Sequence, residues 1–162
     1  MYGSDILSNF SFTIKPGDRV AVTGPSESGK SALFDLLFGL RTPTQGQVKL
    51  MGAELRELRP ESFRRHIALV RGVEVFEGSI DDNVRLGQPK ISSTRVRTAL
   101  ADVGLLDDVL KLPEQLDTRL ASTGHPLAQV QQWRLMLARA CASTPQLLLI
   151  DKALDSFSDQ EG

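Results

Sequence analysis

The chain has 162 residues, enough for one domain with a real core, and carries 19 Lys and Arg against 20 Asp and Glu, a formal charge of −1. That balance supplies neither a basic surface for nucleic acid nor an acidic tail. A single cysteine, Cys141, excludes an internal disulfide framework, suits a reducing compartment and reads as a small packed side chain among apolar neighbours.

In chain order, the N-terminal stretch MYGSDILSNF lacks the basic-then-apolar order of a signal peptide, and no apolar run approaches the ~18 residues that span a bilayer, so a soluble chain is expected. No low-complexity tract or internal repeat is found. ILSNFSFTI (6–14) alternates apolar and polar residues and predicts a strand, ended by the turn KPGD. RVAVTG (19–24) predicts a short strand entering a loop, and KSALFDLLFGL (30–40) a helix with Gly39 near its end. QVKLMG (47–52) predicts a short strand after the turn RTPTQG, and RPESFRRHIALV (59–70) a helical turn running into an apolar strand. EVFEGSIDDNVRLG (74–87) predicts a loop ending in a short helix.

SSTRVRTALADVGLLDDVLKL (92–112) is mostly helical in pattern with Ser and Thr available as an N-cap, and LAQVQQWRLMLARACAS (127–143) repeats apolar or small residues on one helical face. TPQLLLID (144–151) predicts a closing strand. Strands alternating with helices imply an α/β fold with a mostly parallel sheet, an antiparallel β edge and an inserted α-helical subdomain over about residues 84–142.

The most specific motif is GPSESGKS, Gly24 to Ser31, which satisfies G-x-x-x-x-G-K-[ST] between a predicted strand and a predicted helix. Its backbone N–H groups can face the β-phosphate of a nucleotide, and the helix N-terminus adds a favourable dipole. Lys30 can reach the β- and γ-phosphates and the Ser31 hydroxyl can ligate Mg²⁺. Asp151, at the end of the apolar run LLLI, is the complementary carboxylate for Mg²⁺, directly or through water.

With these motifs in this order, together with FRRHIALV, VFEGSIDDNVRLG, LDTRL and LAQVQQWRLMLARA, essentially the whole chain resembles the nucleotide-binding domain of ATP-binding cassette (ABC) transporters, most like those of exporters. The resemblance implies the P-loop NTPase fold, ATP and Mg²⁺ as cofactors, and ATP hydrolysis coupled to export. It also implies a head-to-tail pair with a second such domain and a transmembrane domain outside this chain, at the cytoplasmic face of a membrane. It places the nucleotide among Gly24, Pro25, Ser26, Glu27, Ser28, Gly29, Lys30, Ser31 and Ala32, with Tyr2 where the family stacks an aromatic on adenine; a loose terminal tyrosine is the other reading.

Several positions depart from the family's pattern. The signature LSGGQ aligns with Leu127, Ala128, Gln129, Val130 and Gln131, so the serine is lost and side chains stand where two glycines allow close backbone approach to a γ-phosphate. Arg71 matches the family's Mg²⁺- and water-contacting glutamine most nearly, and either binds phosphate or pairs with Glu74 at the surface. Glu27 replaces a small residue and Ala32 a hydroxyl, each weakening nucleotide binding. Where the family has a water-polarising glutamate, this chain has Lys152, which at neutral pH has no lone pair to accept a proton. Because the sequence stops at Gly162, the final strands and the switch-histidine region are expected to be absent; His66 and His125 match neither and are expected at the surface.

Two functions follow from the resemblance. One is a motor domain whose ATP binding closes a dimer and whose hydrolysis reopens it. The other is a non-hydrolysing module that regulates a competent partner, or a decayed copy, which Lys152, Ala128, Gln129 and Val130 favour. A cassette protein acting on nucleic acid or another protein is a weaker third, opposed by the exporter-like FEGSI and LDTRL segments.

Overall fold

The computed structural model of the protein describes residues 7–151, in two compact units divided in sequence between Ile67 and Ala68. Tyr2 and Lys152 lie outside the described residues.

In the first unit the KPGD turn forms as its composition dictates. The Lys15 N–H donates to the Asp18 carboxylate at 2.8 Å, the Asp18 N–H returns to the Lys15 carbonyl at 3.1 Å, and Gly17 takes φ +90°. The flanking segments 7–14 and 19–24, expected as strands, join no ladder among the described residues, and Phe10, Phe12, Val20 and Val22 are exposed. Alternation marks a face suited to burial, but a strand exists only where a neighbour takes its N–H and C=O groups, and local sequence does not encode that neighbour.

Helix α1 (Lys30–Leu37) buries Leu33 and stops at Gly39, φ +72°. The Gly39 N–H bonds the Leu36 carbonyl at 3.2 Å and the Leu40 N–H bonds the Asp35 carbonyl at 2.8 Å, a Schellman ending that satisfies two terminal carbonyls. Strands β1 (Lys49–Leu50) and β2 (Ala53–Glu54) form an antiparallel hairpin. Its two turn residues, Met51 and Gly52, have φ of 53° and 86°, the positive pair a type I′ turn requires. Helix α2 (Pro60–Arg64) starts with proline at a position where its missing N–H is no loss, and buries Phe63.

The ring of Phe63 lies over Gly39 so closely that a Cβ there would come within 2.4 Å of it. Gly39→Ala should therefore lower stability by about 2–4 kcal/mol, from ring displacement plus left-handed backbone strain. Urea unfolding checks this: Phe63→Leu in the same chain should recover part of the loss, and purely additive losses would place the cost elsewhere.

Strand β3 (Ile67–Val70) leads into the second unit, where it pairs with β6 (Leu147–Ile150). Strands β4 (Gly78–Ser79) and β5 (Arg119–Leu120) pair antiparallel, Gly78 opposite Leu120 and Ser79 opposite Arg119. Four helices complete this unit: α3 (Ile80–Arg85), α4 (Ser93–Asp102), α5 (Leu106–Leu110) and α6 (Gln129–Ala142). Side-chain caps begin two of them, the one at Ser92 expected from sequence. Ser92 Oγ accepts from the Arg95 N–H at 3.2 Å. At α3, Ser79 and Asp82 exchange side-chain-to-backbone bonds of 3.0 Å each, a capping box. Those bonds from Ser79 hold the Asp82 carboxyl below its ordinary pKa.

The core of the unit is apolar, with Ile80, Val84, Val96, Leu100, Leu105, Val109, Leu135 and Ala138 fully enclosed. Cys141 is half-buried against it, and burial raises its thiol pKa, in keeping with a packing role. Among the described polar residues, Asn83 is fully enclosed. Asn83 Nδ2 donates to the carbonyls of Phe76 and Ser79, both at 3.0 Å, while its Oδ1 accepts from the Phe76 N–H at 3.2 Å and from Arg139 Nη2 at 3.0 Å. Arg139 also donates to the carbonyls of Asn83 at 2.7 Å and Glu74 at 2.9 Å and stacks over the Phe76 ring at 5.5 Å. Desolvation lowers its pKa, and these acceptors compensate the buried charge. The loop 74–79 is thus fastened to α6 through polar groups at α3.

Candidate nucleotide site

Gly24 to Ser31 forms a curled loop closed by its own lysine. The Ser28 N–H bonds the Pro25 carbonyl at 3.3 Å, and Lys30 Nζ donates to the carbonyls of Gly24 at 2.7 Å and Pro25 at 2.6 Å and approaches Ser28 Oγ at 3.5 Å. Gly24 has φ +150° and Gly29 φ +89°; a Cβ on Gly24 would press against Ser28 Oγ at 3.0 Å. Both glycines of the motif therefore sit where L side chains fit poorly. Glu27 takes φ +63°, a left-handed conformation costing a non-glycine residue roughly 1–2 kcal/mol.

Gly29 caps α1, whose first α-helical bond runs from the Leu33 N–H to the Gly29 carbonyl at 2.9 Å. No acidic residue occupies its first turn, so the helix's positive end is uncompensated from within the helix. Pro25, Ser26, Glu27 and Ser28 are exposed, while Ser31 and Ala32 are half-buried. An ammonium already coordinated by loop carbonyls, beside a helix N-terminus, is a device for receiving an oligophosphate. Glu27 adds an opposing negative charge at the loop's outer face.

In the second unit, the Asp151 N–H bonds the Val70 carbonyl at 2.8 Å, which brings the end of β6 beside the residue after β3. That residue is Arg71, and its Nε donates to Asp151 Oδ2 at 2.9 Å. The aspartate is only 3% exposed, so its charge requires compensation, and the guanidinium supplies it. Arg71 thus has a partner that sequence inspection did not nominate, 80 residues away. A carboxylate oxygen is the hard ligand that Mg²⁺ prefers, but the Asp151 carboxylate already faces a fixed cation, and a dication on it would meet that charge directly. Asp151 does not fit a free metal-binding carboxylate.

Leu127 is buried, and Ala128 caps α6 without a side-chain acceptor. Gln131 compensates in part: its Oε1 accepts from the Ala128 N–H at 2.9 Å and its Nε2 donates to Asp108 Oδ2 at 3.0 Å, which lowers the Asp108 pKa. Gln129 is exposed and Val130 half-buried, both within the first helical turn. Gln132, not singled out from sequence, ties α6 to the preceding loop through the carbonyls of Leu127 at 2.8 Å and Thr123 at 3.2 Å. It covers Gly124 so tightly that a Cβ there would lie 2.2 Å from it. His125 is exposed as expected, whereas His66 is half-buried.

Among the described residues no helix is long and apolar enough to cross a membrane. A family profile described as ABC transporter matches residues 7–155. The ATP-binding cassette sub-family B member 6 of Xenopus tropicalis is 31% identical over 159 residues, covering 98% of this chain and 19% of that protein. The mitochondrial iron-sulfur clusters transporter ATM1 of Kluyveromyces lactis is 32% identical over 160 residues, covering 96% of this chain and 22% of that protein. A solved bacterial Atm1-family ABC exporter with ATP bound superposes with a TM-score of 0.74 at 28% identity, over 84% of this chain and 24% of that one. The chain therefore spans about a fifth of the length of these curated relatives.

Proposed function

The chain belongs to the ABC transporter family, and from that premise we propose that it is the ATP-binding domain of an exporter, holding nucleotide on the loop Gly24 to Ser31. Its partners on this reading are a second nucleotide-binding domain and a transmembrane domain, which together keep it at the cytoplasmic face of a membrane. The observation that carries the proposal is Lys30, coordinated by the Gly24 and Pro25 carbonyls at the start of α1. Phosphate oxygens compete for the same ammonium and add the helix N-terminus as a second attraction. Mg²⁺ arriving on the phosphates would find the Ser31 hydroxyl as its protein ligand. The adenine would stack on Tyr2.

Lys30→Ala removes the charge but leaves the loop's glycines in place. Affinity for a fluorescent ATP analogue should fall at least about tenfold, the effect of losing one charge-assisted phosphate contact. Equal affinity of the two proteins would overturn the proposal.

Within this function, specific residues favour a module that binds ATP and hydrolyses it poorly. Lys152 cannot serve as general base, Ala128 donates no hydroxyl, and Gln129 and Val130 present side chains toward a partner's phosphate. The domain would then act through nucleotide-dependent association rather than through its own turnover.

A further inference from the structure

We infer that Glu27 sets the nucleotide selectivity of the loop Gly24 to Ser31: its charge disfavours the triphosphate, so this chain holds ADP at least as well as ATP. The inference rests on the ATP-binding reading and specifies which nucleotide that loop prefers. Between Gly24 and Ser31 the chain has one cation, Lys30, and one anion, Glu27. The cation is engaged by the carbonyls of Gly24 and Pro25. The exposed Glu27 side chain makes no hydrogen bond or ion pair with any described residue, so none of them neutralises it or draws it off the loop.

The backbone fixes where this charge sits. The Ser28 N–H bonds the Pro25 carbonyl at 3.3 Å, closing a four-residue turn in which Glu27 is third. Of the two central residues only Glu27 has a positive φ, +63°, the pattern of a type II turn, whose third position favours glycine or asparagine. A glutamate there is strained, and strain kept in a ligand loop points to function. The Pro25 carbonyl that closes the turn also accepts from Lys30 Nζ at 2.6 Å. One oxygen thus ties the turn of Glu27 to the ammonium that receives phosphate. The ends of such a turn approach within about 7 Å, less than the roughly 8 Å Debye length at physiological salt, so solvent ions do not fully screen Glu27 from a phosphate on Lys30.

Charge selects between nucleotides where strain does not. The cost of the left-handed backbone is common to both ligands and cancels from a ratio of affinities. Repulsion grows with each negative charge, and ATP carries one more than ADP. With one cation and one anion the loop has no net charge, so the added charge of ATP gains little from it. Across roughly 8 Å, at an effective dielectric between those of a protein surface and water, Glu27 disfavours that one charge by about threefold or more.

The test is competition of ADP and ATP against a fluorescent ATP analogue on the full chain, read by anisotropy at saturating Mg²⁺. Wild type should bind ADP as tightly as ATP or more tightly. Glu27→Gln keeps the side chain's size and removes its charge, and should shift the affinity ratio toward ATP by about threefold or more. Glu27→Gly, which also relieves the backbone, should show the same ratio as Glu27→Gln. ATP bound more tightly than ADP by wild type, or a smaller shift in Glu27→Gln, overturns the inference and leaves the ATP-binding reading intact. A shift in Glu27→Gly that Glu27→Gln lacks assigns the selectivity to conformation and overturns the role of charge. Binding of neither nucleotide by wild type overturns the ATP-binding reading and this inference with it. The wild-type comparison needs no variant, so the inference remains decidable if a substituted chain does not fold.

Discussion

Lys152→Glu should raise ATP turnover at this chain's own site by roughly 10²-fold or more, the usual worth of a general base, when the partner domain carries an intact signature. The geometry of charge and protons requires both conditions. A glutamate accepts the proton of the attacking water and a lysine does not, but the γ-phosphate must also be enclosed by the opposite domain's signature. In a homodimer that enclosure comes from Leu127 to Gln131, with side chains on Gln129 and Val130, so the same substitution should recover little. Steady-state phosphate release from mixed dimers whose partner has a disabled phosphate loop isolates the site in question. Wild-type turnover equal to that of the Lys152→Glu form would show that the lysine is no obstacle.

Asn83→Leu should lower the stability of the second unit by about 3–5 kcal/mol, although the two side chains have the same heavy-atom branching. Four hydrogen bonds vanish at a fully enclosed position: two to the carbonyls of Phe76 and Ser79, one from the Phe76 N–H and one from Arg139. The partners lose bonds made at an enclosed side chain, and that asymmetry, more than the mean strength of a hydrogen bond, sets the magnitude. Asn83→Asp retains the acceptor toward Arg139 but turns an oxygen on two carbonyls, and should fall between wild type and Asn83→Leu. Urea-unfolding midpoints at constant slope measure the series. A loss under about 1 kcal/mol for Asn83→Leu would show that the network around Arg139 carries no structural weight.

Much of the α/β plan was legible because its signals are local. KPGD states its own turn, Ser92 its own cap, and the spacing of Gly24, Gly29 and Lys30 its own loop. The family match and the superposed exporter agree with the P-loop fold, ATP-binding and exporter reading drawn from these segments and their order. What sequence left unread depends on distance. Arg71 and Asp151 are 80 residues apart, and Asn83 and Arg139 are 56 apart; neither pair leaves a periodic trace. The one hint was compositional: an Asn in the apolar-spaced stretch around Ile80 and Val84, and an Arg among the alanines of α6, are polar residues that burial must explain. The strands expected at 6–14 and 19–24 join no ladder among the described residues for the complementary reason, since alternation gives a face but not a neighbour.

Gly39 and Gly124 are held in place from inside the molecule, by Phe63 and Gln132. Positions 129 and 130, aligned with glycines in the family's signature, are instead the first two residues of a 14-residue helix. A side chain at either position stabilises that helix relative to glycine by up to ~1 kcal/mol. Gly39 and Gly124 thus keep their conformation against neighbours within their own units, whereas positions 129 and 130 carry side chains that the helix itself favours over glycine.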